Sequence, residues 1–150
     1  MTTTIIRRAV ESDLETLVNF NQAMAWETEQ KKLDPETLTR GVSAVLKHRA
    51  QAFYLLAQRD NTIAGSLMIT EEWSDWRAGR FWWIQSVYVA PEFRRQGIYR
   101  SLYEEVKTAA EEQGDVCGIR LYVEKENSAA QQTYQQLGMH ECQYFMYESK

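Results

Sequence analysis

Three arginines, Arg94, Arg95 and Arg100, crowd around Gly97 in the run VYVAPEFRRQGIYRSLYEE (residues 87–105), although the chain carries a formal charge of -4. Like charges at this spacing repel, and an anion held on the backbone is the simplest compensator. The run passes from β-branched and aromatic residues into a helical pattern, so Gly97 marks a strand-to-helix turn. A glycine there lets a ligand approach the main chain with no Cβ in the way. The first helical turn leaves N–H groups without partners at the positive end of the helix dipole. Together they make a phosphate cradle, with Arg95, Arg100 and, as a third candidate, Arg94 to neutralise the charge. The plainer reading is a solvated turn, which an isolated Arg-x-x-Gly does not exclude. The run lacks the Gly-Lys-Ser/Thr of a P-loop and the second and third glycines of a dinucleotide fingerprint.

Asn127 and Tyr134 form a second constellation. Seven residues apart, they share nearly one helix face, separated by a rise of ~10.5 Å. Ser128 with Gln131 reads as a capping box, which would leave the Asn127 amide free for another partner. A tyrosine of ordinary pKa, near ~10, is protonated at neutral pH and can donate. Packing beside Ala130 and Leu137 is its plainer use. Cys117 and Cys142 show no CxxC spacing, and His48 and His140 match no metal-ligand pattern. The thiols read as reduced core or edge residues, and no metal is expected.

The elements that must position these groups follow from periodicity and breakers. Thr4–Arg8 reads as a strand; Ser12 or Asp13 can cap a helix to about Trp26; Asp34-Pro35 opens a second helix through about His48. AFYLLAQ, TIAGSLMITEEW and FWWIQSVYV are three β-rich runs separated by RDN and by SDWRAGR, which suggests an antiparallel meander. A helix from Arg95 to about Gln113 carries Ile98, Leu102, Val106, Ala109 and Ala110 near one stripe and ends at Gly114. Strand IRLYV, a helix Ser128–Leu137 stopped by Gly138, and a last strand within Met139–Tyr147 complete the chain. The order is β-α-α-β-β-β-α-β-α-β, an α/β (α+β) mixed sheet. Its crossover helix makes FWWIQSVYV and IRLYV parallel neighbours.

Composition bounds the rest. One domain is expected of 150 residues, 44% of them apolar and 25% charged. The sequence MTTTIIRRAVESD lacks the apolar run of a signal peptide, and no window approaches the ~20 apolar residues of a membrane span, so the cytoplasm is the expected compartment. The acidic balance argues against nucleic-acid binding, which needs clustered Lys and Arg, and is compatible with a cationic substrate.

The run VYVAPEFRRQGIYRSLY resembles the acetyl-CoA signature of the GNAT superfamily of N-acetyltransferases, in which a strand, Val-x-Pro and Gln/Arg-x-x-Gly-x-Gly/Ala lead into a helix. IIRRAVESDLETL, the element order, IRLYV and NSAAQQTYQQLGM extend the resemblance over nearly the whole chain. It implies a GNAT-like fold with a mostly antiparallel sheet and one parallel pair at the cofactor cleft. It further implies acetyl-CoA held by Arg94, Arg95, Gln96, Gly97, Ile98, Tyr99 and Arg100, with Asn127 on the pantetheine arm or adenosine. Val87, Tyr88 and Val89 match the bulged strand that splays from its parallel neighbour in relatives and polarises the thioester carbonyl. Tyr134 matches the general acid that protonates the departing thiolate. One position departs from the pattern: Tyr99 stands where glycine or alanine is usual, so its side chain must turn away from the diphosphate, with Tyr103 able to pack beside it.

The acceptor half is less marked. A lysine-like amine must lose a proton before it attacks, which calls for a base or a water wire. Polyamine-acetylating relatives often carry a carboxylate where this chain has Gln85, which could hold a water. Glu71, Glu72, Glu124, Glu27 and Glu29 are substitutes. Aromatics gather nearby: Trp26, Trp73, Trp76, Trp82, Trp83 and Tyr122. Trp82 and Trp83 point to opposite faces of one strand, so one can be core while the other lines a cleft. A wall of Trp83 and Tyr122 with Gln85, Glu29 and Glu72 nearby would suit an organic cation. The expected activity is acetyl transfer to a primary amine, a small cationic one ahead of protein lysines or N-termini, by direct attack in a ternary complex. A catalytically silent acyl-CoA-binding or regulatory module is the rival of another class. The resemblance also allows a homodimer.

Overall fold

The computed structural model describes residues 3–150. Five strands form one sheet in the order β1-β2-β3-β4-β5: β1 (Thr4–Arg8), β2 (Ala52–Arg59), β3 (Thr62–Ser74), β4 (Gly79–Val89) and β5 (Val116–Arg120). The first four pair antiparallel, and β4–β5 is parallel, as the crossover helix requires. The expected mixed sheet is present.

Among the described residues there are four α-helices, α1 (Leu14–Glu29), α2 (Pro35–Leu46), α3 (Ile98–Gln113) and α4 (Ser128–Gln136), of which the first three cover the sheet. On one face, Leu17 of α1 and Val42, Val45 and Leu46 of α2 bury Tyr54 and Leu56 of β2. On the other, Ile98, Leu102, Val106 and Ala110 of α3 bury Leu55, Leu67, Ile69, Trp82 and Ile84. The alternation of β2 between the two clusters is the period-2 geometry of a strand covered on both sides. Leu17, Leu56, Leu67, Leu102 and Val106 have no exposed surface.

Asp34 caps α2 as its sequence predicts, accepting from the Thr37 N–H at 2.9 Å with Pro35 at the first helical position. Asp13 does something else. Its buried carboxylate accepts from both terminal nitrogens of Arg7 and from the Val10 N–H at 2.8 Å, so it ties β1 to the chain entering α1 rather than capping the helix. The Arg7 hydrogen bonds hold it below the usual carboxylate range.

Three expectations are corrected. The fifth strand is VCGIR, not IRLYV, because Gly118 packs where a Cβ would lie 2.6 Å from the Phe81 ring. A glycine that looks like a breaker is here the condition for two backbones to approach. No strand forms within residues 139–147; Tyr144, Phe145, Met146 and Tyr147 stand 70%, 87%, 63% and 93% exposed, since β-propensity without a paired edge fixes nothing. The cysteine expectation is corrected in part: both are free and exposed, Cys117 on the edge strand as expected and Cys142 beyond α4, in neither core nor edge. Among the described residues, no helix is long and apolar enough to cross a membrane.

Candidate functional site

The site is built where β4 parts from its neighbours. Against β3, Met68 pairs with Gln85 but Ser66 pairs with Tyr88, so two steps of β3 face three of β4. The extra residue is absorbed at Ser86, whose φ of 53° is left-handed. Such a bulge reverses the facing of everything after it. Trp82 and Ile84 lie on the α3 side before it, and Val87 and Val89 lie there after it. Tyr88 instead meets Phe20 of α1, ring centroids 5.0 Å apart.

Against β5, pairing runs only from Arg80↔Val116 to Trp83↔Arg120. The closed end is clamped by Arg80, which bonds Glu71 at 3.0 Å and Asp115 at 2.9 Å. Residues 84–89 continue without a β5 partner, leaving one backbone edge of β4 open over the length that contains the bulge.

The open edge leads into the Gly97 turn. Among the described residues, no backbone N–H from Arg95 to Arg100 donates to a protein acceptor; the first bond of α3 is Ser101 N–H to the Gly97 carbonyl at 3.0 Å. Left-handed φ values at Arg95 (63°) and Gly97 (80°) fold this stretch into a concavity, and the space a Gly97 Cβ would enter is open. A row of unpaired donors at the start of a sixteen-residue helix fits a diphosphate.

The side chains around the turn divide differently from the sequence reading. Arg94 does not face the turn's donors: it donates to the Val89 carbonyl at 2.9 Å and to Glu27 Oε1 at 2.7 Å. Glu27 also accepts from the Tyr88 hydroxyl at 2.8 Å. Burial works against the charge of Glu27, but the Arg94 and Tyr88 bonds outweigh it and hold the carboxyl low. Gln96 is pinned by Arg59 of β2, which bonds both its side-chain oxygen and its carbonyl. Ile98 is core, so Gln96 and Ile98 can offer a ligand only their N–H groups. Arg95 and Arg100 are exposed and make no bond within the described chain. Nothing in the sequence near Arg59 signals its part.

Tyr134 of α4 reaches the same region. Its ring meets Tyr99 edge-on at 5.6 Å, and Tyr99 stacks on Tyr103 at 6.2 Å, the packing expected of the unusual residue after Ile98. Burial pushes the Tyr134 hydroxyl above its ordinary value, so it stays protonated near neutrality. Tyr99 is pushed up further by burial and carries the one buried side-chain polar atom without a partner among the described residues. The Ser128–Gln131 box does not form. Asn127 itself caps α4, its Oδ1 accepting from Ala130 N–H at 3.2 Å, while Gln131 bonds the Glu124 and Lys125 carbonyls. Only the Asn127 NH2 remains for a ligand.

The remaining candidates do not share one face of the sheet. Gln85 donates to Thr70 Oγ1 at 2.7 Å, and Glu72 accepts from Trp83 Nε1 at 2.7 Å. Glu71 is committed to Arg80 and Trp82. Glu29 pairs with Lys31 at 3.3 Å on the surface. Of the tryptophans, Trp82 is core, Trp73 and Trp76 are 62% and 89% exposed, and Trp26 lines a separate open hollow of about 480 Å³ with Lys31, Lys32 and Leu33. Trp83 and Tyr122 do meet, at 6.1 Å. A cation of the chain already lies beside them: the Arg120 guanidinium sits 6.0 Å from the Trp83 ring and 3.6 Å over Phe81.

Comparison with known proteins agrees with this geometry. The Acetyltransferase (GNAT) family matches residues 12–139. The chain is similar to the crystal structure of a possible acetyltransferase from Clostridium difficile 630, with 45% identity over 98% of this chain and 97% of that one and a TM-score of 0.92. A predicted acetyltransferase from Clostridium acetobutylicum, solved with acetyl-CoA, shares the fold at 19% identity, with 98% and 96% of the chains covered and a TM-score of 0.79. So does the aminoglycoside N-acetyltransferase AAC(6')-Iy in complex with CoA, at 16% identity, with 100% and 96% covered and a TM-score of 0.82. No curated protein matches the sequence at a significant level.

Proposed function

The chain belongs to the GNAT acetyltransferase family, and we propose that its residues act as one domain that moves an acetyl group from acetyl-CoA to a primary amine by direct attack in a ternary complex. The observation that carries the reading is the unbroken row of unpaired N–H groups from Arg95 to Arg100, continuous with the open β4 edge. Acetyl-CoA supplies the activated acetyl group as a thioester. The row of N–H groups holds its diphosphate, with Arg95 and Arg100 adding charge. The Asn127 NH2 and the unpaired edge of residues 84–89 bind the pantetheine arm as a further strand would. A main-chain N–H at the bulge aims at the acetyl carbonyl, and such a donor is worth about 3 kcal/mol where negative charge develops.

Tyr134 holds a proton for the leaving sulfur, and the burial that raises its pKa keeps that proton in place at neutral pH. On the acceptor side Glu27 and Glu72 are both hydrogen-bonded to neighbours, which leaves neither of them idle as a base. They draw an ammonium group to the cleft, and the amine reacts from its neutral fraction, so the rate rises with pH toward the amine's own pKa. The aromatic wall that suggested a small cation is shared with Arg120, which removes that argument for a purely cationic acceptor. The silent acyl-CoA-binding reading draws on Gln85, whose amide is spent on Thr70 and leaves that position without a base.

Release of free thiol from acetyl-CoA over a panel of amines decides between them. Amine-dependent release supports the transferase; tight binding of acetyl-CoA with no release under any amine supports the silent module. Light scattering tests the homodimer that the family resemblance allows.

A further inference from the structure

We propose that Arg120 is the specificity-determining residue of the acceptor cleft and that the acceptor is a primary amine that also bears a carboxylate. The proposal rests on the transferase reading and names its substrate class.

Four arginines of the chain are half-buried: Arg7, Arg59, Arg80 and Arg120. The first three each donate hydrogen bonds to protein acceptors. Among the described residues Arg120 donates none; its one ion-pair partner, Glu72, lies 3.7 Å away, beyond hydrogen-bond distance. The same Glu72 oxygen accepts from Trp83 Nε1 at 2.7 Å, a bond that holds the carboxylate short of Arg120. Arg120 is nonetheless held. Its guanidinium lies 3.6 Å over the Phe81 ring and 5.7 Å from the Tyr144 ring. A guanidinium stacked on an aromatic face keeps its N–H donors in its own plane, pointing outward, which is the fork that a carboxylate accepts in two parallel bonds. A charge with side-chain exposure of 26%, immobilised by stacking and short of acceptors, is ready for an anion.

Its position in the sheet gives the role. Trp83↔Arg120 is the last pair before β4 and β5 separate, so Arg120 stands at the closed end of the cleft. The bulge at Ser86 is three residues further along β4, ~10 Å at the usual rise of a strand. The guanidinium itself lies over Phe81, two residues back along β4, so the acceptor carries its carboxylate at that end of the cleft and its amine toward the bulge. The diphosphate site lies beyond the other end of β4, past Val89, which separates Arg120 from the coenzyme's phosphates.

Matched amines test this: L-phenylalanine against 2-phenylethylamine, L-leucine against 3-methylbutylamine, and 4-aminobutyrate against butylamine, each assayed for thiol release with wild type, Arg120→Gln and Arg120→Lys. The wild-type enzyme should favour at least one carboxylate-bearing member by ~10-fold or more in kcat/KM, as expected for losing hydrogen bonds to a charged group. Arg120→Gln should erase the preference by raising the KM of the carboxylate substrate, and Arg120→Lys should restore part of it, with the KM for acetyl-CoA unmoved in both. Preference for the decarboxylated amine, or a preference that survives Arg120→Gln, overturns the proposal and leaves the transferase reading standing. A raised acetyl-CoA KM in both variants also overturns it, by assigning Arg120 to the coenzyme. Binding of the same carboxylates in the presence of CoA, followed by calorimetry, gives a readout without turnover: uptake by wild type and not by Arg120→Gln is expected, and equal uptake by the two contradicts it. Should no amine release thiol, the transferase reading fails, and this proposal fails with it.

Discussion

The two sides of the cleft are made of different material. The side proposed for the coenzyme is backbone: six consecutive N–H groups without protein partners among the described residues, an open strand edge and a left-handed turn, with side chains such as Ile98 and Val89 directed into the core. The side proposed for the acceptor is side chains engaged with one another, Glu27 with Tyr88 and Arg94, Gln85 with Thr70, and Glu72 with Trp83. Backbone donors tolerate sequence change because any residue but proline supplies one. Side-chain networks change with each substitution, which is how a common donor site can serve different acceptors on one fold.

The largest expected effect lies where the two sides meet. Tyr134→Phe should lower kcat by ~100–1000-fold, within the usual range for removing a general acid, while the Kd for acetyl-CoA holds. Equal loss of both would make Tyr134 a packing residue against Tyr99. The kcat of wild type should fall on the alkaline side only above the ordinary tyrosine value of ~10, because burial raises the Tyr134 pKa and its protonated form is the active one. A fall centred below that value would assign the acid elsewhere.

Gly97→Val strikes the donor side alone. It forces a β-branched residue to a φ of 80° and fills the space a ligand must enter, so CoA affinity should drop ~10–100-fold, the equivalent of one charge-assisted hydrogen bond or more. Unchanged affinity would refute the backbone cradle. Gly118→Ala probes the closed end of the cleft: its Cβ would meet Phe81 at 2.6 Å, and thermal unfolding should report a loss of about 1–3 kcal/mol. Arg95→Ala should be the mildest change. A loss of a few-fold in CoA affinity, shrinking as salt is raised, marks an exposed charge; a salt-independent loss would mean that Arg95 makes a desolvated contact.

The contrast also explains what could be read from the sequence. The Gly97 turn, the helix after it and the meander before it were legible because each depends on local pattern: glycine, capping residues and β-rich runs. The bulge was not, because Ser86 takes a left-handed φ without the glycine that would announce it, and its place is set by register against Met68 and Ser66. Arg94 and Arg95 look alike in sequence, yet only Arg94 finds a carboxylate, Glu27, 67 positions away. Pairings of that range leave no local trace. The capping of α4 was misassigned by one residue, which turned Asn127 from a free amide into a half-committed one. Arg120 carries no signal in the sequence, and its stacking on Phe81 follows from Gly118 and the parallel register.

A paired calorimetric titration tests the donor side most directly: CoA against pantetheine, which has the same thiol arm and no diphosphate. Main-chain donors gripping the diphosphate predict that pantetheine binds at least ~100-fold more weakly, since more than one charge-assisted hydrogen bond is lost. Equal affinity for the two would contradict the account at its base.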